Sequence, residues 1–235
     1  MPIRTLLAPL LGLGLLLVAH GASAATPTGF TATYNVSQNG QPLGVAKVRL
    51  FAVDNGEWVY SKDVKSTGGL AAILGASLKE SSRFRWKGDV PEAVSYDYQL
   101  QTGIKNKQRH LTVDWANHQV TANDGKGPKS YPAVAGMVER NTLTLALGMA
   151  LRDGNQQAAL IVAGRQQVET QHFKVTGKET VKVPAGSFQA ERIDRSDADL
   201  GFSAWYAPAR YPVPVKLAQH DGGDIEMELV SYTAR

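Results

Sequence analysis

Apolar and polar residues alternate one by one along much of this chain. Phe30, Ala32, Tyr34 and Val36 are separated by Thr31, Thr33 and Asn35, the period-two pattern of a strand with one buried face. Asn39-Gly40 follows, a pair that tolerates positive φ and so suits a hairpin turn. A partner strand is expected from about Leu43 to Val53, ended by Asp54-Asn55-Gly56. Trp58, Tyr60, Lys62 and Val64 resume the alternation, and Phe84 and Trp86 interleave with Arg83, Arg85 and Lys87. Further strands are expected near 92–101, 108–115, 157–162, 166–176, 179–184, 187–195, 202–207, 213–220 and 224–233. Lys87-Gly88-Asp89, Asn123-Asp124-Gly125 and Asp221-Gly222-Gly223 punctuate them.

Two segments depart from this period. Leu70, Ile73, Leu74 and Leu78 recur at helical spacing, which predicts a short helix over 69–78. Leu143, Ala146, Leu147, Ala150 and Leu151 form one apolar stripe, which predicts an amphipathic helix over 138–152. Gly154 stands where a C-terminal cap belongs. Residues 123–136, rich in Pro and Gly, read as a long loop leading into that helix. The fold class is therefore mainly β: a single antiparallel, curved sheet or half-barrel domain, with the 138–152 helix covering a sheet face or the barrel mouth.

The N-terminus sets the expected compartment. Arg4 precedes an apolar, leucine-rich run from Leu6 to Val18, and Ala22-Ser23-Ala24 supplies the small-x-small pattern that signal peptidase accepts. Residues 1–24 read as a signal peptide cleaved near Ala24, leaving one β-rich domain over 25–235 in the periplasm. The apolar run is too short for a membrane span, and no later segment reaches the roughly 18 apolar residues that one needs. With no cysteine, neither a lipid-modified cysteine nor a disulfide can hold the protein in place or together. A net charge of +4 is mild and gives no nucleic-acid footprint.

Chemistry-bearing motifs are scarce. The chain has no G-x-S-x-G, S-x-x-K, H-E-x-x-H, Walker A or G-x-G-x-x-G motif, so no catalytic residue and no cofactor is assigned. His110 and His118 flank a hairpin turn at Ala116-Asn117. They read as exposed hairpin residues, because zinc requires several ligands converging on one point. Asp194, Asp197 and Asp199 before Gly201 form only a fragment of a calcium loop. The basic residues carry more information. Arg83, Arg85 and Lys87 share one strand face, and Lys105, Lys107 and Arg109 repeat the spacing downstream. Brought together, the six would form a positive stripe able to meet lipid headgroups or lipopolysaccharide phosphates.

Several stretches together resemble a family of exported bacterial β-rich proteins grouped only as a domain of unknown function. They are Tyr34-Asn35-Val36 with Asn39-Gly40 and Leu43-Gly44, and Gly69-Leu70-Ala71-Ala72 with Gly75-Ala76-Ser77. Glu80, Ser82, Phe84, Trp86, Gly88 and Pro91-Glu92 continue the series. Later come Glu139-Arg140, Val183-Pro184-Ala185-Gly186-Ser187-Phe188, Trp205-Tyr206-Ala207-Pro208 and Pro212-Val213-Pro214-Val215-Lys216. The resemblance implies a β-rich envelope protein and carries no catalytic residue. The chain departs from the family at Asn141, where an apolar residue is expected.

The reading that fits best is a non-enzymatic periplasmic binder of an apolar or amphipathic envelope component. A curved antiparallel sheet with a helix at its concave face can enclose a small ligand. The alternatives are a structural or assembly module that contacts an envelope protein or polymer, and an enzyme without a recognisable motif. Oligomeric state is not legible. Cell fractionation with N-terminal sequencing checks the export signal: the product is expected in the periplasm, starting near Ala25. An intact Met1, or membrane association that survives a high-salt wash, would rule the signal out.

Overall fold

The computed structural model describes residues 27–68, 72, 75–103, 105–198, 201–220 and 223–235. Fifteen strands form one sheet. They are β1 (Phe30–Gln38), β2 (Gln41–Ala52), β3 (Trp58–Ser66), β4 (Ser77–Lys87), β5 (Val90–Gln101), β6 (Asn106–Asp114), β7 (Gln119–Asn123), β8 (Pro128–Pro132), β9 (Val138–Glu139), β10 (Gln157–Ala163), β11 (Val168–Val183), β12 (Gly186–Arg195), β13 (Phe202–Tyr206), β14 (Lys216–Gln219) and β15 (Ile225–Ala234). Helix α1 (Leu143–Arg152) lies between β9 and β10. The sheet order is β8-β7-β6-β5-β4-β3-β2-β1-β15-β14-β13-β12-β11-β10-β9. Two meanders therefore leave from the β1–β15 seam, where Phe30 pairs with Ala234 and Gln38 with Ile225. Every pairing is antiparallel except the short β9–β10 ladder across α1.

The sheet is open but strongly curved. Bulges at Thr33/Tyr34, Val36/Ser37, Arg83/Phe84 and Val175/Gly177 bend it. Its two ends approach each other without pairing: the Tyr131 hydroxyl on β8 donates to the Gly164 carbonyl beyond β10, at 2.5 Å. The Ala93 amide on β5 donates to the Met137 carbonyl just before β9, at 2.9 Å. Because the strands alternate in direction, the ends of β3, β5, β7, β10 and β12 share one rim with the starts of β4, β6, β11 and β13.

The expected strand pattern is present, with particular differences. β1 buries Phe30, Ala32, Tyr34 and Val36 and leaves their neighbours more exposed. The strands expected at 166–176 and 179–184 are one strand, β11, because Gly177 sits in a bulge that keeps the ladder to β12 rather than in a turn. The expected 123–136 loop contains β8. Pro128 and Pro132 stand at its ends on the outermost strand of the sheet, where a missing N–H breaks no interior ladder. The helix starts at Leu143, not Val138, since Val138 and Glu139 pair with Val162 and Ala163 as β9. Of the expected 69–78 helix, residues 69–71 and 73–74 lie outside the described residues, and Ser77 and Leu78 already belong to β4.

α1 is swallowed by the sheet rather than laid across its mouth. Leu145 packs with Phe30, Ala32, Leu50, Val213 and Leu229 of one wall. Leu143, Ala146, Leu147 and Leu151 pack with Val162, Phe173, Ile193, Ala204 and Tyr206 of the other. The close fit needs Gly148: a Cβ there would lie 2.0 Å from the Pro212 carbonyl oxygen. The helix ends as expected at Gly154, whose φ of 84° lets its amide reach the Leu151 carbonyl while the Asn155 amide reaches Ala150. Leu147, fully buried, should therefore cost roughly 2–5 kcal/mol when cut to alanine. Urea titration checks this, and a change below about 0.5 kcal/mol would mean that no cavity is left behind.

Candidate functional site

The cavity lies at the N-terminal end of α1. Its space is about 370 Å³, and from the helix only the first turn, Leu143 and Thr144, lines it. The rest of its apolar wall comes from inward positions of the sheet: Tyr34, Val48, Val162, Phe173, Phe202, Leu217 and Met227. That size falls within the few hundred Å³ typical of small-molecule sites. The polar groups in its floor are already engaged. Tyr34 Oη donates to the Pro214 carbonyl at 2.9 Å, and Tyr206 Oη donates to the Thr144 carbonyl at 2.8 Å. Tyr60 Oη lies 3.4 Å from Thr144 Oγ1. Burial pushes all three phenols, of which Tyr34 and Tyr60 line the cavity, far above the ordinary tyrosine range, so these groups carry no charge.

The rim is different. Arg109 comes from β6, Arg140 follows β9, Arg165 sits in the β10–β11 turn, and Lys62 and Arg195 reach in from β3 and β12. Two of these are neutralised: Lys62 by Glu80, and Arg195 by Asp197, whose Oδ1 accepts from Nε at 2.7 Å. Among the described residues, no carboxylate lies within ion-pair distance of Arg109, Arg140 or Arg165. The Arg109 guanidinium stacks 4.8 Å from the centre of the Tyr98 ring, and its buried Nε has no acceptor. Burial, then Arg165 and Arg140, weaken its hold on its proton. Lys107 is weakened in the same way, by Arg109 first, then by burial, Arg165 and Lys105. The mouth gathers cations, with Asp124 as the carboxylate in its lining.

A buried polar network supports the wall beneath this rim. Glu80, 3% exposed, pairs with Lys62 and accepts from the Tyr96 hydroxyl at 2.7 Å. Glu139, also buried, accepts the backbone amides of Asn141 and Thr142 at 2.8 and 2.9 Å, satisfying two donors at the entry to α1. Burial pushes its carboxyl above the usual range despite these bonds. Asn141 explains its own departure from the resembled pattern. Its Nδ2 donates to the Tyr60 carbonyl at 3.0 Å and to Ser82 Oγ at 2.9 Å, tying α1's entry to β3 and β4. Its buried Oδ1 has no protein partner, and the residue lines the cavity.

The six residues of the expected basic stripe do not form one surface. Arg83, Arg85 and Lys87 alternate with buried Ser82 and Phe84 and face outward. Arg83 and Arg85 both pair with Glu57, and Lys87 with Glu92. Arg109 stands opposite Tyr98 and Lys107 opposite Leu100, on the same face as the buried pair Tyr96–Leu111, so these two point inward. Lys105 joins them electrostatically. Of the six, Arg109 lines the cavity, beside Arg140 and Arg165, neither of which belongs to an alternating basic segment of the sequence.

The other candidates are placed as follows. His110 faces Asn123 across the β6–β7 ladder and contacts Asp97 at 2.6 Å. His118 lies in the turn, before the Asp114–Gln119 pair, so the two histidines do not converge. Asp194 takes Arg192, Ser203 and Thr176, while Asp197 takes Arg195 and the His172 amide. Asp199 lies outside the described residues.

The Glu80 pair gives a pH test. Burial alone would raise this carboxyl, but the facing Lys62 ammonium and the Tyr96 hydroxyl outweigh burial and hold it below the usual range. A depressed folded-state pKa contributes stability above the unfolded value and loses it as pH falls through the folded one. Glu80→Gln should lower stability by about 1–3 kcal/mol at neutral pH. Its deficit should shrink between about pH 5 and pH 3 in urea titrations. Parallel stability curves for variant and parent would show that the pair contributes no pH dependence.

Comparison with known proteins agrees with this geometry at the level of fold. No curated protein matches the chain. A crystal structure described as a beta-barrel-like protein of domain of unknown function DUF1849, from Brucella abortus, superposes with a TM-score of 0.56 at 8% sequence identity. The alignment covers 90% of this chain and 100% of that one. At such identity the likeness is one of fold alone. The sequence model described as "Protein of unknown function (DUF3108)" matches residues 33–230, from β1 into β15, and the chain belongs to this DUF3108 family.

Proposed function

We propose that this protein is an exported, non-enzymatic carrier or sensor that holds an amphipathic component of the cell envelope inside its curved sheet. The observation that carries this reading is the cavity above α1, which combines an apolar wall with charged side chains, mostly cations, in its lining. The sheet's inward side chains and α1 fill part of the hollow and leave a cavity of about 370 Å³. The groups that converge there are arginines and neutral phenols, suited to holding an amphiphile. The apolar run at Leu6–Val18 supports placement in the envelope, where such molecules are abundant. The alternative of an assembly module would use a sheet edge or the basic stripe. The ion pairs of Arg83, Arg85 and Lys87 with Glu57 and Glu92 leave it without the stripe and do not bear on the edge.

Native mass spectrometry of protein purified from its own envelope checks the reading, with a one-to-one adduct of an amphiphile expected. Titration with N-phenyl-1-naphthylamine, a neutral apolar fluorophore, provides a second measurement. Leu217→Trp, which places an indole in the cavity, should weaken uptake of the fluorophore at least tenfold. A clean protein mass together with no uptake of the fluorophore would sink the proposal.

A further inference from the structure

The rim of the cavity holds more positive charge than the protein itself neutralises. Arg109, Arg140 and Arg165 converge from three separate elements, close enough that Arg165 and Arg140 perturb Arg109. Bringing like charges together is unfavourable unless an anion completes the arrangement, and the other rim cations show what completion looks like. Lys62 has Glu80 and Arg195 has Asp197. The outward Arg83, Arg85 and Lys87 also have their carboxylates. Among the described cations that line the cavity, Arg109, Arg140 and Arg165 differ from Lys62 and Arg195 in having no carboxylate within ion-pair distance, although Asp124 shares the lining. Arg109 adds a buried Nε with no acceptor, and its guanidinium carbon lies over the Tyr98 ring, 4.8 Å from its centre. A planar guanidinium fixed in this way presents paired N–H donors that match the paired oxygens of an oxyanion.

We infer that the cavity selects a single-chain amphiphile with an anionic oxygen head group, its chain inserted toward Leu143 and its head held at the rim by Arg109, Arg140 and Arg165. The inference rests on the cavity reading above and narrows it to one class of ligand. The chain end of the ligand would meet Leu143, Leu217 and Met227 of the lining, which offer no charge. The head would stay at the wet rim, where Arg140 and Arg165 are exposed. That orientation lets both halves of the ligand keep the surroundings they prefer. A carboxylate and a phosphate share this chemistry, and the experiment separates them from each other and from free phosphate.

Displacement of N-phenyl-1-naphthylamine from the full chain is measured with decyl phosphate, decanoate, decyl alcohol, decyltrimethylammonium and inorganic phosphate. Decyl phosphate, decanoate or both should displace the fluorophore at concentrations at least tenfold below decyl alcohol. The ammonium compound should be weakest among the chains, and inorganic phosphate should displace nothing. The advantage of the anionic head should fade as salt rises, since the rim is exposed to screening. The double variant Arg109→Gln/Arg165→Gln should bring the anionic chains to the level of decyl alcohol while leaving uptake of the neutral fluorophore unchanged. Arg83→Gln, on the outer face, should leave all values as in the parent.

Because Arg109 is partly buried, the single exposed variant Arg165→Glu provides a check independent of folding. It should weaken the anionic chains at least tenfold with an unchanged unfolding midpoint. Equal displacement by decyl alcohol and the anionic chains, or no loss in either arginine variant, would overturn the head-group inference while the cavity reading stands. Binding of inorganic phosphate by calorimetry as tightly as decyl phosphate would overturn it in favour of a free-anion site. Failure of the fluorophore and of every chain to bind would remove the cavity reading and this inference together.

Discussion

A sheet of fifteen strands that curls back on itself encloses more space than its own inward side chains can fill, and α1 takes up that space on one side only. Everything of functional interest follows from this partial filling. The helix is buried on nearly every side, with Leu145 turned to one wall and Leu143, Leu147 and Leu151 to the other. Gly148 allows it to seat against the Pro212 backbone. Such a helix derives its stability from packing rather than from its own ten residues, which in isolation are too few to be stable. Before its first turn the walls continue without a filler, and the space at Leu143 is the cavity.

The entry to α1 shows how a buried polar network can serve the same end. The amides that open a helix need acceptors, and inside a hollow sheet no water is close at hand. Glu139 provides both acceptors, and Asn141 ties the turn to β3 and β4 through Tyr60 and Ser82. These bonds fix the height at which the helix stops, and so the floor of the cavity. Glu80 and Lys62 then hold the neighbouring wall, using one cation that would otherwise add to the rim.

Charge is sorted by the pleat. Arg85 and Arg109 are similar in sequence context, each flanked by alternating basic residues. Arg85 points outward to Glu57, and Arg109 points inward to a rim it shares with Arg140 and Arg165. The difference is one of parity in the register between neighbouring strands, where a shift of one residue moves every side chain to the opposite face. The fold thus separates the outward, ion-paired Arg83, Arg85 and Lys87 from an inner rim where Arg109, Arg140 and Arg165 have no carboxylate within ion-pair distance among the described residues.

The sequence by itself determined what local patterns can carry. Alternation over Phe30–Val36 marked β1, Asn39-Gly40 its hairpin, the Leu143–Leu147–Leu151 stripe the helix and Gly154 its cap, because each depends on residues a few positions apart. The absence of cysteine likewise left the fold to its core. β8 was hidden because Pro128 and Pro132 mark a loop until the strand is known to lie at the sheet's edge. β11 read as two strands because Gly177 marks a turn until β12 is seen to pair across it. Of the site, Arg109 was visible as one of the alternating basic residues Lys105, Lys107 and Arg109, but not the wall it belongs to. Arg140 and Arg165 acquire meaning only when the two ends of the sheet meet and bring them beside Arg109. That meeting depends on contacts such as Tyr131 with Gly164, 33 residues apart. No local period encodes such a distance, so only the tertiary structure could decide which cations share a mouth and that the mouth leads to unfilled apolar space.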